Sequence, residues 1–411
     1  MKRSSILVLF FSLTLAACAS NENENPVEQS SEAAYKNAAY QFINSAKIGW
    51  NFGNQFDAYT NGISSETAWG NPPATQKMFD LIAKSGFGIV RIPVTWNGHI
   101  GSATSDYKIE ESWLSRLATV IGYAKKAGLK VIINMHHDDN NNGGWLSIKK
   151  ASSDKNTLDS LTVKFKKVWT QVAQYFGNEG NYLMFEAMNE VQDGGWGWGL
   201  ASDTNQFDII NLWNQTFVDA VRSTGGQNSQ RFLGIACYSA SPRLASHLKI
   251  PTDTQTDKLL LSVHCYDPFD YAGEAKYHEW GHNAKNKAAS GNEEDWKTIV
   301  KSLYENFVKK GVPVYFGEYG AVRQDGYESF RLYYMEYITK LIHDYEMLPV
   351  YWDNGANGSG KDKFGLYNRS NYSYSTGAES VVKVMMKAAG VTKSDKNYSL
   401  GQIYKAAPAS K

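Results

Sequence analysis

Eight short apolar runs, each separated from the next by a longer amphipathic segment, constrain the fold of this 411-residue chain more than any other feature. The runs are nearly continuous in apolar residues rather than alternating, which is typical of a parallel sheet with a covered outer face. They lie at 47–53, 87–93, 129–135, 182–188, 231–237, 259–265, 312–317 and 348–353.

The segments between the runs have helical spacing. Leu114, Leu117, Val120, Ile121 and Ala124 recur at three- and four-residue intervals, and 161–172 and 296–307 repeat the pattern. Several of these segments end at a glycine just before the next run: Gly86, Gly128, Gly177 and Gly311. Eight such βα units predict a single (β/α)₈ TIM barrel over 39–392. A doubly wound open sheet is the alternative, but no glycine-rich phosphate loop follows the first run.

The N-terminus predicts export. Lys2 and Arg3 precede an apolar stretch at 6–17 that is too short to span a membrane, so residues 1–17 form a signal peptide. The sequence "LAAC" resembles a bacterial lipobox, which implies cleavage before Cys18 and lipidation of its thiol. The polar segment 18–38 would then be a flexible tether. The alternative is an ordinary signal peptide that happens to contain a cysteine.

The predicted location is therefore the cell envelope, at the outer membrane or the cell surface, with membrane attachment through the lipid on Cys18. Residues 393–411 are rich in Lys, Ser and Ala and predict a C-terminal tail without a fold of its own. Cys237 and Cys265 both fall at predicted strand ends. Free buried thiols are favoured for them over a disulfide bridge, since an exported chain with so few cysteines does not depend on a disulfide framework.

Composition narrows the class of ligand. The net charge is +1 and no basic run or stripe occurs, which argues against nucleic acid as a partner. Aromatic residues make up 13% of the chain. An excess of aromatic rings beyond core packing indicates flat stacking surfaces, which suit sugar rings or bases. We expect a monomer.

Polar residues follow the predicted strands where the C-terminal ends of a barrel form its mouth. They are Arg91, His136, Asn189, Glu190, His264, Tyr266, Glu318 and Trp352. Two carboxyl groups facing one cleft are what glycoside hydrolysis requires, one protonated and one ionised. Glu190 and Glu318 are the candidate pair, because each closes an apolar strand. Taken alone, Glu190 could instead be a structural ion-pair partner.

Metal catalysis is the less favoured interpretation. His136, His137, Asp138 and Asp139 are metal-ligating residue types. Adjacent strand residues point to opposite faces, so we expect that His136 and His137 do not share one metal. No metal and no cofactor are expected, because acid–base and covalent steps need only carboxylates.

Several motifs together resemble glycoside hydrolase family 5. They are "VRIPVTW", "INMHH", "MNE", "VHCYDP", "GEYG" and "YWDNG", in the family's order. The resemblance implies retaining hydrolysis, with Glu318 as nucleophile and Glu190 as acid and then base. It implies that Arg91 and Tyr266 keep Glu318 ionised and that His264 holds Glu190. Asn189 and His136 would contact the sugar, and Trp352 would stack on it.

"GWNFGN", "ETAWGNP" and "YHEWG" resemble subfamily 4, which consists mainly of endo-β-1,4-glucanases. The implied substrate is a β-1,4-linked glucan: cellulose-like, mixed-linkage or xyloglucan. The alternatives are a related barrel hydrolase acting on xylan or mannan, and a non-catalytic glycan-binding lipoprotein. Candidate platforms for further sugars are Trp69, Trp96, Trp145, Trp196, Trp198 and Trp280.

Glu186 is a carboxylate that this assignment does not use. It precedes Glu190 by four residues on the same predicted strand, and the strand period of two places both on the same side. A carboxylate inside the barrel needs a partner, and we expect a polar group from the second or third strand.

Overall fold

Parallel strands close into a barrel because each is apolar enough to be buried on both faces. The computed structural model describes residues 36–139, 142–192 and 205–410. In chain order, its strands are β1 (Gly49–Asn51), β2 (Tyr59–Thr60), β3 (Ile63–Ser64), β4 (Ile89–Ile92), β5 (Lys130–Asn134), β6 (Leu183–Glu186), β7 (Leu233–Ala236), β8 (Leu259–His264), β9 (Val314–Tyr319), β10 (Leu348–Tyr351), β11 (Tyr367–Asn368) and β12 (Ser373–Tyr374).

Eight of these strands form one closed, all-parallel barrel in the order β1-β10-β9-β8-β7-β6-β5-β4, with β4 pairing back to β1. Each of the eight coincides with one of the predicted apolar runs, which confirms the predicted TIM barrel. The other four strands form two short antiparallel hairpins, β2–β3 and β11–β12. The first hairpin lies in the connection that follows β1.

Helices cover the barrel. They are α1 (Ala38–Ala46), α2 (Gln76–Lys84), α3 (Glu111–Lys126), α4 (Ile148–Ser153), α5 (Lys155–Tyr175), α6 (Asn205–Ser223), α7 (Phe269–Ala272), α8 (Glu293–Asn306), α9 (Glu328–Asp344), α10 (Ala378–Ala388) and α11 (Leu400–Lys405). Their buried faces carry the predicted periodic residues, such as Leu117 and Val120 of α3. Among the four predicted closing glycines, Gly177 differs from the others because it lacks a positive φ.

One βα unit departs from the expected repeat. The connection 237–258 between β7 and β8 is described throughout and contains only the 3₁₀ segments Tyr238–Ala240 and Pro242–His247. A 3₁₀ helix is a common short connector. No helix of the described residues is both long enough and apolar enough to cross a membrane. The signal peptide, Cys18 and the tether up to residue 35 lie outside the described residues.

The C-terminal segment corrects the sequence interpretation. Residues 400–405 form α11 rather than part of an unfolded tail, and the Ser399 side chain accepts a hydrogen bond from the Gln402 N–H at its start. Ile403 is buried, and the Tyr404 ring stacks on His282 at 3.9 Å. The segment is rich in Lys, Ser and Ala, so its composition gives no sign that a few apolar and aromatic residues suffice to pack α11 against the barrel domain. Cys237 and Cys265 are buried free thiols, as favoured.

Helix α1 closes the N-terminal end of the barrel. Its apolar face packs against the first residues of several strands in a lower core: Ala39, Phe42, Ile43, Ala46, Ile89, Ile132, Met184, Phe232, Leu260, Tyr315, Leu348 and Val350. Phe42 stacks on Phe232 with 4.4 Å between ring centroids. The bottom of the barrel is therefore a dry apolar layer, and the polar interior begins above it.

Removal of the Phe42 ring should destabilise the protein without affecting the mouth. Phe42 is 5% exposed, so Phe42→Ala should lower the free energy of unfolding by about 3 kcal/mol, through lost burial and a cavity. Urea denaturation measures this loss, and kcat/KM of the folded variant should equal that of the wild type. Val163→Ala, at a 50%-exposed position of α5, is the control and should change stability by less than about 0.5 kcal/mol. An unchanged urea midpoint for Phe42→Ala would contradict the packing role of α1.

Candidate active site

Arg91 forms the centre of the mouth. It lies on β4 and is fully buried, and all five of its N–H groups find an acceptor. Nε and one Nη2 hydrogen go to Glu186 at 3.0 and 2.7 Å, and the other Nη2 hydrogen goes to Asn189 Oδ1 at 2.7 Å. Nη1 donates to Asn51 Oδ1 at 2.9 Å and to Glu318 Oε1 at 2.8 Å. One cation thereby connects β1, β4, β6 and β9.

Glu318 lies on β9 with both carboxylate oxygens bound. Arg91 donates to Oε1, and the Tyr266 hydroxyl donates to Oε2 at 2.9 Å. His264 Nδ1 and His136 Nε2 lie 3.7 and 3.9 Å from Oε1. Burial raises the pKa of Glu318 above its usual value, while the surrounding donors and the Arg91 charge oppose that increase. These contacts favour an ionised, oriented carboxylate.

Glu190 has a different environment. It follows the end of β6, and its Oε1 lies 2.8 Å from His264 Nδ1. No arginine contacts it among the described residues. Burial raises its pKa to about 8, and the negative charge of Glu186 adds to the increase against the opposing effect of Arg91. The carboxyl group of Glu190 therefore retains its proton near neutral pH.

The two carboxyl groups face each other across a short gap. An oxygen of Glu190, an oxygen of Glu318 and a ring nitrogen of His264 all lie within 4.8 Å of one another. Burial lowers the pKa of His264 to about 4, so its ring is neutral at pH 7 and hydrogen-bonds without adding a charge. One carboxyl group beside a neutral ring and one beside a cation therefore lie next to each other at one end of the barrel.

The remaining predicted residues line the same mouth. Asn189 is buried beside Arg91, and His136 Nδ1 lies 3.1 Å from the Asn134 amide. Trp352 follows β10, and its indole lies parallel to the His136 ring at 5.9 Å with 1° between the planes. Arg91, His136, Asn189, Glu190, His264, Tyr266, Glu318 and Trp352 thus occupy one site, as the order of the motifs predicts.

The predicted aromatic platforms divide into four groups, of which the fully buried pair Trp96 and Trp280 is described last. Trp69 is 42% exposed and packs with Tyr59, at 5.3 Å, in reach of the mouth residue His137. Trp145 is partly buried, donates its indole N–H to Asp138 and lies under the Lys164 ammonium. Trp196 and Trp198 lie outside the described residues.

Trp96 and Trp280 correct the prediction, because they are 0% and 2% exposed. The Trp96 indole donates to the Asn134 carbonyl, and that of Trp280 donates to the Gly291 carbonyl. Both rings are buried and offer no face to a ligand. The local sequence does not show whether a tryptophan in a connection at the mouth packs into the protein or faces the solvent.

The expectation that His136 and His137 point to opposite faces is also wrong. Both residues follow the end of β5 at Asn134, where strand alternation no longer applies. Their ring centroids are 4.4 Å apart, and ring nitrogens of both lie within 4.8 Å of a carboxylate oxygen of Asp57. His137 Nε2 and Asp57 Oδ2 are 4.0 Å apart. Burial lowers the pKa of His137 to about 4, so its imidazole ring is neutral at pH 7.

Sequence reasoning missed two positions that hold the mouth together. Asn51 lies at the end of β1, accepts from Arg91 and donates to the Gly317 carbonyl at 2.8 Å. Asp353 accepts from the Trp50 indole and from the Gly355 and Leu366 amides, which fixes the chain beside Trp352. Asn51 is part of the quoted "GWNFGN" motif, so its position at a strand end was an available signal.

A parallel eight-stranded barrel with two closely spaced carboxyl groups at its mouth, one bound by an arginine and a tyrosine and the other by a histidine, is the arrangement of a glycoside hydrolase. Residues 51–358 match the model of the Cellulase family, glycosyl hydrolase family 5. The chain belongs to that family. It is a glycoside hydrolase of the endoglucanase type that acts on β-glucans.

The similarity to known proteins extends over most of this chain. Endoglucanase A of Paenibacillus barcinonensis is 37% identical over 79% of this chain and 84% of its own length. The structure of a Bacteroidetes-affiliated family 5 cellulase, linked with a polysaccharide utilization locus, superposes with a TM-score of 0.87 at 42% identity, covering 91% and 99% of the two chains. A GH5-4 broad specificity endoglucanase from Bacteroides salanitronis has a TM-score of 0.83 at 43% identity, covering 88% and 96%.

The Trp352 platform depends on the absence of a side chain at residue 53. A Cβ on Gly53 would lie 2.6 Å from Trp352 Cη2 and 2.9 Å from two further ring carbons. Gly53→Ala should therefore tilt the ring and lower kcat/KM on a soluble β-glucan by at least about tenfold, which corresponds to about 1.4 kcal/mol. Gly122→Ala, where an added Cβ meets nothing within 4 Å, is the matched control and should keep wild-type kinetics. Wild-type kcat/KM for Gly53→Ala would show that the ring position does not matter.

Proposed function

We propose that this protein is a retaining endo-β-1,4-glucanase that cleaves internal bonds of β-glucans by double displacement. The observation that carries the proposal is the short gap between Glu190 and Glu318, whose nearest oxygens lie within 4.8 Å. Retaining glycosidases hold their carboxyl groups about 5–5.5 Å apart, whereas inverting enzymes need about 6.5–9.5 Å to admit a water molecule. The gap leaves room for direct attack by a carboxylate on the sugar.

In the first step, Glu318 attacks the anomeric carbon and forms a glycosyl ester, while Glu190 transfers its proton to the departing glycosidic oxygen. In the second step, the Glu190 carboxylate takes a proton from water, and the water oxygen displaces Glu318 from the anomeric carbon. The two steps together conserve the proton on Glu190. Both inversions occur at the same carbon, so the product retains the starting configuration.

The surrounding contacts support these roles. Arg91 and Tyr266 each donate to one oxygen of Glu318, which orients it and favours its charged form. His264 holds Glu190 at 2.8 Å and remains neutral, so it does not promote loss of the Glu190 proton. Asn189 and His136 line the position of the cleaved sugar and would bind its hydroxyls. Trp352 would stack on the apolar face of that sugar.

The proposed substrates are cellulose-like glucan, mixed-linkage glucan and xyloglucan. The broad specificity described for the Bacteroides salanitronis enzyme, at 43% identity, supports this range. The exposed Trp69 offers a further stacking surface beyond Trp352. A polysaccharide panel with product analysis tests the assignment, and preferential release of oligosaccharides from xylan or mannan would overturn it.

Exchange of the nucleophile tests the mechanism most directly. Glu318→Gln should lower kcat roughly 10⁴-fold or more while cello-oligosaccharide binding persists, because the amide keeps the shape but cannot attack. For the wild type, proton NMR of the first product should show the β-anomer. Glu305→Gln, an exposed exchange on α8, is the control and should keep full activity.

Glu190→Gln separates the acid role from the nucleophile role. Hydrolysis of a β-glucan should almost cease, whereas an aryl cellobioside with a good leaving group should still form the glycosyl-enzyme, because its departure needs no proton. Normal glucan turnover by Glu318→Gln, or an α-anomer as first product, would refute double displacement with these roles.

We further propose that the mature protein is a monomer attached to the outer membrane or cell surface through a lipid on Cys18. The first described helix, α1, lies at the N-terminal end of the barrel strands, whereas the catalytic mouth lies at their C-terminal end. A tether that enters at α1 would leave the mouth open toward the polysaccharide. This arrangement supports surface attachment.

Cys18→Ala should release the protein from the membrane. Without the thiol no lipid can be attached, so the variant should move from the membrane fraction to the soluble fraction on centrifugation. Its kcat/KM on a soluble glucan should match that of the wild type, because α1, close to where the described chain begins, lies at the opposite end of the barrel from the mouth. Cys237→Ala, at a buried thiol, is the control and should remain membrane-bound. A mass of the mature wild-type protein that contains no lipid on Cys18 would exclude lipidation at this residue.

A further inference from the structure

Glu186 is a buried carboxylate that the double-displacement mechanism does not use. It ends β6 inside the barrel and is 0% exposed. Four donors from three strands approach within 3.0 Å: Arg91 Nε and Nη2, the Asn134 amide, and the Tyr315 hydroxyl at 2.7 Å. The Ser262 hydroxyl lies further away, at 3.5 Å. The partners from the second and third barrel strands are the ones that the sequence predicts.

The neighbouring strand makes room for this arrangement. A Cβ on Gly234 of β7 would collide with the Tyr315 hydroxyl. Glycine at this position lets the hydroxyl enter the barrel and reach Glu186, while the Tyr315 ring remains in the lower core. Glu186 therefore lies at the boundary between the dry bottom of the barrel and the charged mouth.

Glu186 and Glu318 compete for one cation. Arg91 directs Nε and one Nη2 hydrogen to Glu186 and a single Nη1 hydrogen to Glu318. The bidentate contact fixes the plane of the guanidinium and hence the direction in which Nη1 points. It also neutralises part of the positive charge that Glu318 and Glu190 would otherwise experience.

We propose that Glu186 is a positioning residue that shares Arg91 with Glu318, and that its negative charge sets the pH range in which the Glu190–Glu318 pair works. This inference rests on the proposed roles of Glu190 and Glu318. Glu186 never touches the sugar; it acts through Arg91.

The charged and titratable groups around the site determine the sign of the effect. Arg91 on β4, His264 on β8 and Tyr315 on β9 face Glu186, and His136 and Tyr266 also face Glu318. Burial opposes ionisation of Glu186, but Arg91 outweighs it and lowers its pKa. Glu186 is therefore ionised across the working range, whereas His264, with a pKa of about 4, is neutral.

Loss of the Glu186 charge should lower both limits of activity. The Glu186 charge raises the pKa of Glu190, so its removal lowers that pKa and moves the alkaline limit down. Without the Glu186 charge, nothing offsets the positive charge of Arg91 beside Glu318. The pKa of Glu318 then falls, and the acid limit of activity moves down. A unit charge a few ångströms away in a partly buried site shifts a pKa by about 1 unit or more.

The test is the pH dependence of kcat/KM on a soluble β-glucan, which reports the ionisations of the free enzyme. Glu186→Gln should lower both the acid and the alkaline limit of activity by about 1 pH unit. It should also reduce kcat, because Arg91 loses its bidentate contact with a carboxylate. Glu186→Asp keeps a charge but withdraws it by one methylene, so it should shift both limbs in the same direction by less. Circular dichroism establishes that each variant is folded.

Tyr315→Phe is the matched control, because it removes one hydrogen bond from Glu186 and leaves the charge. Its pH limits should stay at the wild-type positions. Folded Glu186→Gln with wild-type limits, or with limits shifted upward, would overturn the proposal. If the pH limits of Tyr315→Phe shift as much as those of Glu186→Gln, the proposal is also overturned. The cause would then be a lost hydrogen bond that leaves Glu186 less firmly held, and not the loss of its charge.

If Glu186→Gln does not fold, Glu186→Asp decides alone, and unshifted limits in that variant count against the inference. The outcome is distinct from a failure of the proposed function. Normal turnover by Glu318→Gln would refute the catalytic assignment whatever the Glu186 variants do.

Discussion

The buried Arg91 guanidinium is the interaction on which the rest of this structure depends. Removal of an ion from water costs several kcal/mol, and only close, well-oriented acceptors offset that cost. Arg91 uses all five N–H groups, and its acceptors come from β1, β6, the loop after β6 and β9. These strands reach the same point only in a closed barrel. The fold therefore stabilises the cation, and the cation in turn fixes the catalytic carboxylate.

The same arrangement gives two chemically identical side chains different properties. Glu318 receives hydrogen bonds from Arg91 and Tyr266, whereas the hydrogen-bond partner of Glu190 among the described residues is the neutral His264. Burial acts on both carboxyl groups, but within the described part of the chain a cation contacts Glu318 and none contacts Glu190. Glu190 consequently holds its proton up to a pKa of about 8, and a donor and an anion coexist at one pH. Glu186 is a further carboxylate at this site, and it contacts the same cation as Glu318.

Much of the fold and the site could be predicted from local features. Apolar runs predict β4 and β6 because a buried parallel strand needs no alternation, and the polar residues that follow them mark the mouth. The prediction failed at positions where tertiary packing, and not the local sequence pattern, determines which way a side chain points. Trp96 follows β4 and Trp280 lies in the connection between α7 and α8, yet both rings are buried. Helix α11 forms from a Lys-rich segment, and His136 and His137 approach the same point because the strand has already ended.

Local periodicity and strand polarity are enough to predict the eight barrel strands, their order along the chain and the side chains at their ends. Which of those side chains make direct contact follows from the closed barrel. The pairing of Glu186 with Arg91 and Tyr315, the gap between Glu190 and Glu318, and the space that Gly53 leaves for Trp352 join residues far apart in the chain. Contacts of this kind arise from barrel closure and side-chain volume, which no local pattern encodes.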